Sequence, residues 1–161
     1  MARTTFSGPV ASANGSIHNG RVSIGATGTI SSAALATTGY ITCTSAAVTT
    51  ITLPIAVTAG AVQGLVPALN ASAGQKFTFI VDNTAGASAV TIAVGTGGTL
   101  SDAANTTAAS FGDVTLASGV RGMAQFTLMF TGGLTAPTAA NPQPNQALPG
   151  TATGYTLTRT A

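Results

Sequence analysis

The chain has no tryptophan and no glutamate, and only one cysteine, one histidine and three aspartates among 161 residues. Each shortage removes a class of function. A lone Cys43 excludes an intrachain disulfide framework; it reads as a small buried apolar residue rather than a reactive thiol. His18, the sole imidazole, sits in a Gly/Asn-rich stretch where rigid positioning for proton transfer is hard to provide, so it reads as a surface or interface residue. One His and one Cys cannot fill a structural zinc site within a single chain. Asp102 and Asp113 are the candidates for a glycosidase carboxylate pair, but Tyr40 and Tyr155 are the only tyrosines and no Trp offers a sugar platform. Asp102 with Asn105 lacks the dense oxygen spacing of a calcium loop, and Asp82 reads as a turn residue. Gly95-Thr-Gly97-Gly98 is followed by no lysine at phosphate-binding spacing. The expectation is a protein that is not an enzyme and takes no cofactor.

Charge is equally scarce. Arg3, Arg21, Lys76, Arg121 and Arg159 are scattered, and the formal net charge is +2. Nucleic-acid binders cluster their basic residues against phosphates, so no nucleic-acid partner is expected. Residues 22–75 and 122–158 carry no formal charge. Soluble domains ordinarily cover themselves with charge, which keeps copies apart. A surface of Thr, Ser, Ala and Gly is neutral and easily desolvated, which points to self-association or docking. The start, Met1 to Phe6, lacks the apolar stretch of a signal peptide. Residues 46–69 hold Pro54, Pro67, Gly60 and Gly64, whereas a spanning helix takes about 20 predominantly apolar residues. No membrane partner is expected, and synthesis in a cytoplasm without export.

What is present is Ala, Thr and Gly, with Leu, Ile, Val and Phe making up about a fifth of the chain, near the lower limit for a packed core. No segment shows an apolar stripe at helical spacing. Short alternating runs rich in Thr, Val and Ile recur between turn clusters, the pattern of an all-β domain. Strands are predicted at 21–24, 39–44, 48–55, 76–81, 89–94, 113–116, 121–130 and 155–159. Pro54 should put the third of these at a sheet edge or end it there, and 76–94 reads as a hairpin around Asp82–Gly86. Residues 25–38 are small and polar, and 58–74 read as a loop with room for a short helical turn near 60–66. The Thr-rich runs have no fixed period, which disfavours a solenoid and the regular threonine face of an ice- or surface-binding adhesin. The expected fold class is all-β, a small antiparallel, jelly-roll-like β-sandwich over 21–131. An N-terminal arm (1–20) precedes it. A Pro/Gly-rich arm (132–161) follows, reaching on the order of 60 Å if extended and ending in a strand at Tyr155–Arg159. That strand can add to its own sheet or to a neighbour's edge.

The residues also carry a resemblance. Ala2-Arg-Thr-Thr-Phe-Ser-Gly-Pro9 resembles the starts of small head-associated proteins of tailed bacteriophages. Ile51-Thr-Leu-Pro54, then Ala73-Gly-Gln-Lys-Phe-Thr-Phe-Ile-Val-Asp-Asn83, Ala89–Val94 and Gln125–Phe130 are similar to runs in β-rich virion proteins. The resemblance is to capsid decoration (cement) proteins. It implies a homotrimer on the outer capsid surface that binds the major capsid protein and bridges capsid subunits, with no catalytic residues. Expected partner contacts are Arg3, Thr4 and Phe6 of the first arm, with Phe6 as anchor, and Tyr155, Leu157 and Arg159 of the last strand. The alternative is a tail-fibre or receptor-binding component engaging a host surface.

Overall fold

The computed structural model describes residues 20–101, 114–132, 134–135, 148–149 and 152–160. The protein is mainly β, with two principal sheets. In chain order the first strands are β1 (Val22–Ile24), β2 (Gly28–Thr29), β3 (Tyr40–Cys43), β4 (Thr50–Thr52), β5 (Lys76–Asp82) and β6 (Val90–Ala93). They are followed by β7 (Gly98–Leu100), β8 (Thr115–Leu116), β9 (Met123–Thr131), β10 (Leu134–Thr135), β11 (Leu148–Pro149) and β12 (Gly154–Arg159). The larger sheet runs β1-β3-β5-β9-β12-β7 and the smaller β2-β4-β6-β8.

Strands β1 to β6 alternate between the two sheets, and within each sheet they are parallel. The chain therefore winds as a short coil of three turns, each turn laying one strand in each sheet. This corrects two expectations. Pairing is mixed rather than antiparallel, so the connections depart from a jelly roll. A coil is also present without a sequence period. Val22 pairs with Ile41, nineteen residues on, but Ile41 pairs with Val81, forty residues on. The second turn is lengthened by an excursion over 53–75. Parallel neighbours need a crossover connection, and here the strand in the opposite sheet supplies it.

The hairpin expected over 76–94 is corrected as well, since β5 pairs with β3 and β9 while β6 pairs with β4 and β8. Asn83 explains why the turn crosses instead of folding back. Its fully buried side chain donates through Nδ2 to the carbonyls of Ser88 at 2.9 Å and Ala117 at 3.0 Å. Its own N–H donates to Gly122 O at 2.7 Å. These bonds tie the turn to the approach of β9. Oδ1 has no hydrogen-bond partner and lies against Gly86, where an added methyl would collide with it.

Two short helices were not evident as apolar stripes. α1 (Ser32–Thr38) is capped by Ser31, whose side chain accepts from Ala34 N–H, and is closed by Gly39 at φ 61°. It buries one large apolar side chain, Leu35, so no periodic signal exists to detect. α2 (Leu65–Leu69) overlaps the end of the helical turn anticipated near 60–66. Ser32 Oγ donates to Gln63 O at 2.6 Å, fastening α1 to the approach of α2.

One apolar cluster draws on both sheets. Ile41, Phe79, Val81, Phe126, Leu128 and Leu157 come from the larger, and Ile51, Val90, Ile92 and Leu116 from the smaller. Phe79 and Phe126 stack with ring centroids 5.6 Å apart. Burying each such side chain contributes about 1.5–3 kcal/mol, which lets a chain of modest apolar content fold. Cys43 is fully buried among them, as its reading as a small apolar residue anticipated. Burial, then the negative charge of Asp82, pushes its thiol pKa up.

The expectation of a far-reaching final arm is corrected in part. β12 pairs antiparallel with β9 from Gly154↔Thr131 to Arg159↔Phe126, and β10 pairs with β11. Leu134–Thr135 and Leu148–Pro149, which flank 136–147, are thereby brought side by side; residues 136–147 themselves lie outside the described residues. Residues 1–19, which hold most of the first arm, lie outside the described residues, as do 102–113.

Candidate functional site

β12 is held from both sides, antiparallel to β9 and parallel to β7. Tyr155 is its anchor. The ring is fully buried. Its hydroxyl donates to Pro54 O at 2.7 Å and accepts from Gly95 N–H at 3.0 Å. Burial raises the phenol pKa, the Gly95 amide opposing. The run Gly95–Gly98 is the seat for this ring: a methyl on Gly98 would stand 2.6 Å from it. Leu157 is 1 % exposed. Tyr155 and Leu157, expected at a partner contact, thus have their side chains covered by their own chain. The physical reason is strand parity: they share the inward face of β12. Arg159, half-buried, reaches from that face to Thr115 O on β8 at 3.4 Å, bridging the sheets at one edge. Arg3, Thr4 and Phe6 lie outside the described residues, as do His18, Asp102 and Asp113.

The outward face of the larger sheet is assembled from the alternate residues of its six strands. Register places Thr99, Thr156, Met129 and Lys76 in one row. Thr158, Thr127 and Thr78 form a second, and Met123, Asp82, Thr42 and Ser23 a third. Hydroxyls meet laterally: Thr99 with Thr156 at 3.0 Å, Ser23 with Thr42 at 3.1 Å, Thr78 with Thr127 at 3.3 Å. Each such cross-strand pair contributes about 0.2–1 kcal/mol. Met123 and Met129 are exposed large apolar residues on this face. On this face Lys76 and Asp82 are the charged strand residues among those described, with Arg21 beside β1 near enough to act on the Tyr40 phenol.

Asp82 is engaged within the chain. It accepts from Thr84 Oγ1 at 2.6 Å, Thr84 N–H at 2.9 Å and Tyr40 Oη at 2.7 Å. The Thr84 hydroxyl leads in holding its carboxyl below the usual range, against an opposing desolvation. The bond to Asp82 in turn raises the Tyr40 phenol. This is the turn role read from sequence, with Tyr40 added. Among the described residues no group of three or more His, Cys, Asp or Glu is placed to hold a metal ion. No described helix is long and apolar enough to cross a membrane.

The geometry defines a mainly-β protein whose broad sheet face is neutral, hydroxyl-bearing and studded with two methionines. Comparisons with protein-family models, curated proteins and solved structures find no match.

Proposed function

We propose that this chain is a structural virion protein, a decoration protein that binds the outer surface of a tailed-phage capsid as a homotrimer. It clamps neighbouring copies of the major capsid protein. In this reading the two sheets are the layers of a β-sandwich over one shared core, and the broad sheet and the first arm make the contacts. The observation that carries it is the pairing of outward threonine and serine hydroxyls with one another on a nearly charge-free face. Such a face loses little on leaving water, because its hydroxyls keep their partners. An interface of roughly 1,200–2,000 Å² is the usual size for a specific contact. Repeated over a shell, a modest free energy per copy resists opening.

The test adds purified protein to capsids that lack it and measures occupancy by cryo-electron microscopy. Saturable binding is expected, with little loss between low salt and 0.5 M salt, since few charges are available to be screened. Deleting residues 1–10 should lower occupancy. Binding to host cells but not to capsids would overturn the proposal in favour of a tail-fibre or receptor-binding component.

A further inference from the structure

β12 is a strand set between two others, β9 on one side and β7 on the other. On the β7 side Tyr155 N–H donates to Gly97 O at 3.2 Å and Ser101 N–H to Leu157 O at 2.9 Å. On the β9 side Thr153 N–H donates to Thr131 O and Thr160 N–H to Gln125 O, both at 2.8 Å, so the ladder is closed at each end. Alternate side chains enter the core. Tyr155 and Leu157 are buried, and Arg159 reaches the Thr115 carbonyl. Gly154 lies against Gly97 O, where an added methyl would stand 2.7 Å away.

With β12 lifted out, the rest of the chain presents a slot. The edges of β7 and β9 face each other across one strand, about 9–10 Å apart at two strand spacings. Gly98 leaves room for a ring, and Pro54 O and Gly95 N–H are the partners of its hydroxyl. Main-chain bonds along a sheet edge, with pockets for alternate side chains, are the two parts of strand-addition recognition. Among the described residues the connection between Thr131 and Gly154 adds nothing to this recognition. Its strands β10 and β11 pair with each other and with neither principal sheet.

We infer that the slot between β7 and β9 is a binding site for an extended Gly-Tyr-x-Leu-x-Arg segment, and that Gly154–Arg159 of a second copy fills it in place of the chain's own. Own and exchanged strands make the same bonds, so concentration decides between them. A short tether holds its segment at an effective concentration on the order of mM; here the tether is the twenty-two residues 132–153. Exchange is therefore rare in dilute solution and common where copies crowd. Exchanging an identical element is a low-cost route to linked copies, and it needs no charged or apolar patch on the exterior. Nothing in this exchange depends on a capsid.

Thr99 and Thr156 report on the exchange, because their hydroxyls stand 3.0 Å apart on the outward face. Thr99→Cys and Thr156→Cys, carried on separate full chains, are unfolded together in urea, refolded in reductant and then oxidised. Cys43 is buried and stays out of the reaction. Pairs joining the two different variants should outnumber pairs of like variants. Their yield should rise about tenfold as protein is raised from roughly 10 to 100 μM, as competition with a tether of mM strength requires. A synthetic peptide of residues 152–161, at mM concentration in the refolding mixture, should suppress these pairs, and the same peptide with Tyr155→Ala should not. The unmodified chain refolded near 1 mM, the scale set by the tether, should also yield linked copies that sediment as dimers or larger rings. They should persist on dilution, because release breaks every bond of β12. Like and unlike pairs in equal numbers, a yield unmoved by concentration, or a native chain wholly monomeric at that concentration would overturn the inference. No capsid enters these assays, so such a failure leaves the capsid reading standing. A chain that exchanges strands but ignores capsids removes only the capsid reading.

Discussion

Tyr155 joins three parts of the chain through one hydroxyl: its own strand, Pro54 and Gly95. Removing that hydroxyl leaves a buried carbonyl and a part-buried amide without this partner. Tyr155→Phe should therefore lower stability by about 1–3 kcal/mol, read from the shift in urea unfolding. Gly98→Ala presses a methyl onto the same ring and should cost a similar amount, about 1–3 kcal/mol, by overpacking. A change within about 0.5 kcal/mol, the usual range for surface sites, would show that the ring is not tightly held. Asp82 sets a second expectation. Its folded pKa lies below the ordinary value of 3.8, so its contribution is present above that value and is lost as pH falls through the lowered one. Tyr40, Tyr155 and Cys43 are raised, so their contributions are present below the ordinary phenol and thiol values and are lost as pH rises through the shifted ones. Urea unfolding across pH should show a plateau that falls at both extremes, with the acid fall lessened in Asp82→Asn.

At the scale of elements, β5, β9 and β12 form the middle of the larger sheet and β1 its rim. Amide exchange should accordingly be slowest in β5, β9 and β12 and fastest in β1 and β2. Equal protection at β1 would mean its edge is already covered. Strands were legible in the sequence where alternation was strong. Phe126, Leu128 and Phe130 face inward as read, and so do Val90 and Ile92. Pairing was not legible, because alternation fixes which side chains are buried but not which strand lies alongside. The Asp82–Gly86 turn carries the residues of a hairpin, and the distant carbonyls of Ala117 and Gly122, bonded to Asn83, tie it instead to the approach of β9. The threonine face was hidden for a related reason. Thr99 and Thr156 are neighbours through register alone, so uneven spacing along the chain says nothing of spacing on the face. Tyr155 and Leu157 were placed at a contact because a strand behind a Pro/Gly-rich stretch reads as a tether; the inward parity of β12 was visible, its partner was not.

The whole molecule pairs a conventional apolar interior with an exterior almost free of formal charge. That contrast was legible as composition, while the hydroxyl-bearing face needed the sheet register to become visible. The placement of β7 carries a separate consequence. Among the described residues its one neighbour in the sheet is β12, and Gly98 pairs with Tyr155, fifty-seven residues later. During synthesis β7 must stay unpaired until residues 154–159 have left the ribosome. Pairings so distant along the chain are slow to form, and an early-made edge left open invites aggregation. Completion of the larger sheet thus waits on β12.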